Sequence, residues 1–135
     1  YYIESKHLDC VDVYQCAASD RRSEEYFEMA SGMAARRSDT DGQLVICDSI
    51  DNICIDKYPK IDIIKMDIEG AEVAALKGAK KIIQRDKPVL AICVYHKEDD
   101  FYMIPALIKE LNPEYKLYFR QYELSEEETV CYAVV

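Results

Sequence analysis

The sequence predicts an α/β fold organised on a largely parallel sheet, and three observations predict it. Residues 61–66 form an apolar run that suits a central strand buried on both faces. Directly after it, Ala75, Leu76, Ala79, Ile82 and Ile83 recur at the three-four spacing of one helix face. The alternation then repeats, with an apolar run at 89–94, a helical stretch through Leu111, and two closing strand candidates at 115–121 and 129–135. Such an order fits a sheet whose final pair is antiparallel.

With 135 residues the chain is long enough for one domain with its own core. Half of the residues are hydrophobic, and no repeat or low-complexity tract interrupts them, which excludes general disorder. A net charge of −9 and a pI near 4.7 argue against nucleic acid as a partner, because phosphate binding needs clustered Lys and Arg. No apolar run reaches the roughly 18 residues of a membrane span, so no membrane partner is expected. The chain opens on Tyr1 without a signal peptide or an initiator Met, and we expect an internal start. The six cysteines stand singly and form no CxxC pair, so structural zinc and dithiol redox chemistry lack their spacing. Reduced cysteines in the core of a cytoplasmic protein are the expectation.

Upstream of residue 61 the pattern is less regular. Residues 1–6 read as the end of a helix, and 10–16 alternate apolar and polar residues as a strand does. Two further strand candidates, 24–30 and 43–50, flank a polar loop at 31–42 and form a hairpin or an edge pair. One helical turn fits 49–54, with Asp51 near its start. In the helix predicted over 71–84, Glu69 and Glu72 lie at the positive end and Lys80, Lys81 and Arg85 at the negative end. Gly78 within it costs about 1 kcal/mol relative to Ala, which points to a close packing neighbour. Asp99 or Asp100 caps the next helix, where Pro105 is tolerable near the first turn or at a kink.

The chemistry concentrates where the run at 61–66 ends on Asp67, Glu69 and Gly70, because ligands in open α/β sheets sit outside the carboxyl ends of the strands. Taken alone, Asp67 and Glu69 have two readings. They are a capping residue and a helix-start charge, or a pair that binds an ammonium or hydroxyl and serves as a general base. Two carboxylates without a third obvious oxygen ligand do not make a metal site, and none is assigned. His96, at the end of the next apolar run, is a structural residue or a base.

Lys65-Met66-Asp67-Ile68-Glu69-Gly70-Ala71-Glu72, followed by Ala75-Leu76-Lys77-Gly78-Ala79, resembles the signature of the FkbM-type methyltransferases. Cys16 to Asp20, Asp48 to Asp51, Lys87-Pro88, Val94-Tyr95-His96 and the closing strand fit the same pattern in order. The resemblance implies a Rossmann-like class I methyltransferase fold that uses S-adenosylmethionine, chiefly for O-methylation of hydroxyls on sugars and other small metabolites. It also implies that Asp67, Glu69 and His96 are catalytic, that Ala17, Ala18, Asp20 and Asp67 border the cofactor, and that Asp51, Tyr95 and His96 border the acceptor.

One feature of that family is missing from these residues. The family's fold begins with strand, glycine-rich turn and helix, then a second strand ending on an acidic residue for the ribose. Residues 1–135 hold only four glycines, and no glycine-rich turn precedes Cys10. The resemblance therefore implies a partial domain, truncated at the N-terminus and a weak binder of cofactor by itself. A bare sheet edge beside 61–66 would be paired by 10–16 or by a second copy in a homo-oligomer. Two other classes compete with the enzyme: a non-catalytic α/β binding or assembly module, and a metal-dependent hydrolase that lacks ligand spacing.

Overall fold

The computed structural model describes residues 10–29, 35–38, 42–123 and 128–135. In chain order the elements are β1 (Ala17–Ala18), β2 (Ser23–Met29), β3 (Ala35–Ser38), β4 (Gln43–Asp48), α1 (Ile50–Cys54), β5 (Ile63–Met66), α2 (Glu72–Lys77), α3 (Lys80–Asp86), β6 (Val89–Cys93), α4 (Asp100–Leu111), β7 (Lys116–Gln121) and β8 (Thr129–Val134). They make two four-stranded mixed sheets, ordered β1-β4-β2-β3 and β5-β6-β8-β7. In the second sheet β5 and β6 run parallel, while β8 is antiparallel to both β6 and β7. The alternation of strands and helices after residue 61, with an antiparallel final pair, is as the sequence predicts. The largely parallel sheet is not: each sheet has a single parallel pair among the described residues, β1–β4 and β5–β6, because hairpins and the returning β8 supply the other neighbours.

Its core lies between one face of that sheet and the helices. Ile64, Met66, Leu90, Ile92, Cys131 and Ala133 face Leu76, Ile82 and Ile83 of α2 and α3, and Ile104 and Ile108 of α4. The four-residue step from Ile104 to Ile108 sets the buried stripe of α4. Pro105 lies within that helix rather than in its first turn. Tyr115 is buried whole because its hydroxyl donates to the Pro88 carbonyl at 2.7 Å, satisfying the one polar atom it carries inward. All six cysteines are free, and Cys47, Cys93 and Cys131 are buried. Among the described residues no helix is long and apolar enough to cross a membrane.

Several expectations are corrected. β5 alternates exposed and buried residues instead of being covered on both faces, and Ile63 is 66% exposed. Among the described residues the helices lie on one face, and the opposite face presents Ile63, Val89 and Tyr118 to solvent. Residues 10–16 form no strand and do not pair with β5, whose only ladder among the described residues is with β6. Their polar and aromatic groups hold them elsewhere: Asp12 lies 3.1 Å from the Lys57 ammonium, and the Tyr14 hydroxyl 3.1 Å from that of Tyr58. The loop expected at 31–42 contains β3, paired antiparallel with β2. The helix end expected at 1–6 lies outside the described residues, as does most of the acidic loop at 123–128.

The helix expected over 71–84 is two helices. The Gly78 carbonyl accepts from Asp51 N at 2.8 Å, and a Cβ on Gly78 would stand 2.0 Å from the Ser19 carbonyl oxygen. This is the close neighbour that Gly78 implied. The second helix starts afresh at Lys80, and Asp51 caps it from outside by accepting from Lys81 N at 2.9 Å and Ile82 N at 3.0 Å. Ala79, the residue at the cap position, has no side chain for that task.

Candidate active site

The site forms where β5 and β6 end side by side. After Met66 the chain reverses over residues 68–71, with Ala71 N donating to Ile68 O at 3.2 Å. Both central residues are left-handed, Glu69 at φ 57° and Gly70 at φ 92°. The second favours glycine through its φ, which L side chains rarely adopt; a Cβ there would also displace Cε of Lys97, 2.9 Å away. The Lys97 ammonium donates to the Gly70 carbonyl, so the residue following His96 clasps the turn that follows β5.

This reversal stacks carboxylates around one imidazole. Glu72, the first residue of α2, is fully buried and accepts from Ile68 N at 2.9 Å through Oε1. His96 Nδ1 lies 2.9 Å from the same oxygen, while Nε2 lies 3.5 Å from Asp67 Oδ1 and 3.8 Å from Glu69 Oε2. None of these three contacts is aligned as a hydrogen bond, and both ring nitrogens and Glu72 Oε2 lack hydrogen-bond partners among the described residues. Proximity, not directed bonding, relates these groups. Asp100 is buried alongside and accepts from Lys97 N at 3.0 Å. Burial, and then the Glu72 carboxylate, push its acid pKa upward.

Asp67 is handled differently. Burial favours its neutral form, but hydrogen bonds from Cys93 and from the Tyr95 hydroxyl outweigh that, helped by Lys65 and His96, and its pKa falls below the ordinary carboxylate value. The partners shift in the opposite sense. Burial and the Asp67 charge push the Cys93 thiol up to about 12 and also raise the Tyr95 phenol. Asp67 therefore stays ionised at neutral pH, with two neutral donors fixed on it.

A cavity of about 520 Å³ opens beside this cluster. Ile68, Glu69, Gly70, Ala71 and Ala74 form one wall, His96 and Lys97 the end, and Ala18, Glu25, Phe27 and Cys47 of the first sheet, with Ser19 just after β1, the far wall. A second, more open cavity of about 670 Å³ shares Ala18, Phe27, Ile68, Glu69 and Ala71 with it and extends to Tyr14 and Ala17. The combined cleft has an apolar body with carboxylates and an imidazole at one end, an arrangement able to hold a cationic group and to accept a proton.

Of the residues singled out from sequence, Asp67, Glu69, Tyr95 and His96 converge. Glu69 and His96 line the first cavity, Ala18 lines both and Ala17 the second, whereas Asp67 and Tyr95 line neither. Asp20 lines neither cavity and pairs with Arg21 at 3.1 Å on the surface. Asp51 also lines neither, being used as the cap of α3. Sequence reasoning missed Glu72 as a buried partner of His96, Lys97 as the clasp, and Glu25 and Phe27 as the far wall. Period-two alternation does put Glu25 and Phe27 on one face of β2, but it does not say what that face meets.

The methyltransferase FkbM domain matches residues 5–121. A solved structure of methyltransferase FkbM from Methylobacillus flagellatus KT is similar at a TM-score of 0.76 and 28% identity, covering 98% of this chain and 30% of that one. The chain thus spans less than a third of that relative. No curated protein matches it. With the family pattern running from before β1 to the end of β7, the chain belongs to the FkbM-domain methyltransferase family.

Proposed function

We propose that the protein transfers a methyl group from S-adenosylmethionine to a hydroxyl of a small metabolite or sugar, at the cleft bounded by Glu69 and His96. The observation that carries this reading is the convergence of Asp67, Glu69 and His96 at the strand ends, beside a cavity of small-molecule size. An α/β module serving only assembly gives no reason for these charges to meet around one imidazole.

The residues present fit one end of the cofactor. Glu25 and Glu69 bring negative charge to opposite walls, suited to ammonium and sulfonium groups, and Ala18, Phe27, Ile68 and Ala71 offer apolar contact. When bound, S-adenosylmethionine supplies the electrophilic methyl group. The chain's own part is position and proton handling. Asp67, kept ionised by Cys93 and Tyr95, places its charge 3.5 Å from Nε2 of His96, and Glu69 and His96 present acceptors for the hydroxyl proton.

Radiolabelled methyl transfer to a panel of hydroxylated acceptors, measured with Asp67→Asn and Glu69→Gln beside the parent, tests the assignment. Each variant is expected to lose about 100-fold or more in turnover, the usual contribution of general acid–base catalysis. Undiminished transfer by both would overturn the proposed roles.

A further inference from the structure

We propose that Glu72, His96 and Asp100 form a binding site for one divalent transition-metal cation, buried behind the cleft. One ligand atom from each lies within 4.8 Å of the others. The three come from separate elements: the start of α2, the residue region after β6, and the start of α4.

Charge makes the case. Glu72 is fully buried and Asp100 nearly so, yet among the described residues neither has a lysine or arginine within ion-pair distance. The nearby Lys97 ammonium is turned to the Gly70 carbonyl. Buried carboxylates are ordinarily paired, fully hydrogen-bonded or metal-bound. Here, among the described residues, Glu72 Oε2 and both nitrogens of His96, whose side chain is 7% exposed, have no hydrogen-bond partner. Asp67 and Glu69 add negative charge on the far side of the same ring. In the sequence, Asp67, Glu69 and His96 lack ligand spacing for a metal, and the buried set shares only His96 with them.

Two carboxylate oxygens with one imidazole nitrogen suit Mn²⁺, Fe²⁺, Co²⁺ or Zn²⁺ better than Ca²⁺ or Mg²⁺, which prefer oxygen alone. Nδ1 is the nitrogen beside Glu72, so a cation there leaves the ring proton on Nε2, facing Asp67. With the cation bound, His96 is a hydrogen-bond donor at the cleft, and Glu69, which lines it, carries alone the proton acceptance it otherwise shares with His96. Metal binding does not rest on the methyltransferase reading, because it is measured without turnover.

The experiment strips the full protein with chelator and titrates Mn²⁺, following free ion by electron paramagnetic resonance and stability by thermal unfolding. One equivalent of saturable binding and a raised midpoint are expected, both lost in Asp100→Asn and unchanged in Asp20→Asn. Glu72→Gln and His96→Asn are run in parallel, with circular dichroism identifying any that do not fold, so that Asp100→Asn decides if they fail. If neither Mn²⁺ nor Zn²⁺ binds saturably, or if binding survives undiminished in a folded Asp100→Asn, the proposal is overturned. A water or a shared proton in the cluster gives the first of these results.

Discussion

Replacing Gly78 by Ala sets two physical effects of opposite sign against each other. Helix propensity alone favours the change: Gly78 has φ −73°, which Ala adopts freely, and Gly→Ala at such positions stabilises by about 0.4–1 kcal/mol. Packing opposes it. The new Cβ would lie 2.0 Å from the Ser19 carbonyl oxygen, 3.0 Å from the Ser19 carbonyl carbon and 3.0 Å from Ser49 Cβ. Relief requires backbone movement of about 1 Å or more, and Ser19 is tethered through its N–H to the Asp48 carbonyl at 2.9 Å. Overpacking of this kind costs about 3 kcal/mol, at the upper end of its usual range. The net expectation is a loss of about 2 kcal/mol, or a fall of roughly 8 °C in Tm for a chain of this size. Urea unfolding and thermal melts measure it directly. A variant as stable as the parent, or more so, would refute the claim that close approach to Ser19 is what holds glycine at this position.

Two further outcomes are expected. Asp51→Asn should destabilise by about 1–3 kcal/mol in urea unfolding, because an amide offers one acceptor oxygen where Lys81 N and Ile82 N now meet two; an unchanged midpoint would remove Asp51 as the cap of α3. Asp86 has a depressed pKa, first through its bonds from Arg85 and then, against burial, through Ile61 N at 2.9 Å. A carboxylate with a lowered folded-state pKa adds stability that is present above its unfolded value of about 3.9 and lost as pH falls through the folded value. Asp86→Asn should therefore flatten part of the acid-side decline of stability below about pH 4, and parallel curves for variant and parent would contradict this.

How much of this was legible follows from which signals are local. β6 and α4 follow from apolar runs and helical spacing, which depend only on near neighbours. The convergence of Asp67, Glu69 and His96 was legible too, because strand-end positions in one parallel pair fall together once β5 and β6 are recognised. The break at Gly78 was not, since the apolar spacing of Ala75, Leu76, Ala79, Ile82 and Ile83 continues across it, and only contact with Ser19 and Asp51 interrupts the helix. Residues 10–16 show the converse error. Alternation is necessary for a half-buried strand but does not provide a neighbour, and here side chains at 57 and 58 took the segment instead. Glu72 was hidden for a different reason: a glutamate in the first turn of a helix favours the dipole whether exposed or buried, so the pattern carries no sign of which.

That last ambiguity is resolved by the turn that precedes Glu72. A left-handed glutamate costs about 1 kcal/mol or more relative to an ordinary conformation, and Glu69 adopts it immediately before a left-handed glycine. A turn of ordinary hand would carry α2 away along another direction. With this one, Ile68 N meets Glu72 Oε1, the Gly70 carbonyl meets Lys97, and Glu72 lies against His96. The strain is therefore coupled to the site: the geometry that is unfavourable for Glu69 is what brings a buried carboxylate against the imidazole and leaves Glu69 itself on the cavity wall.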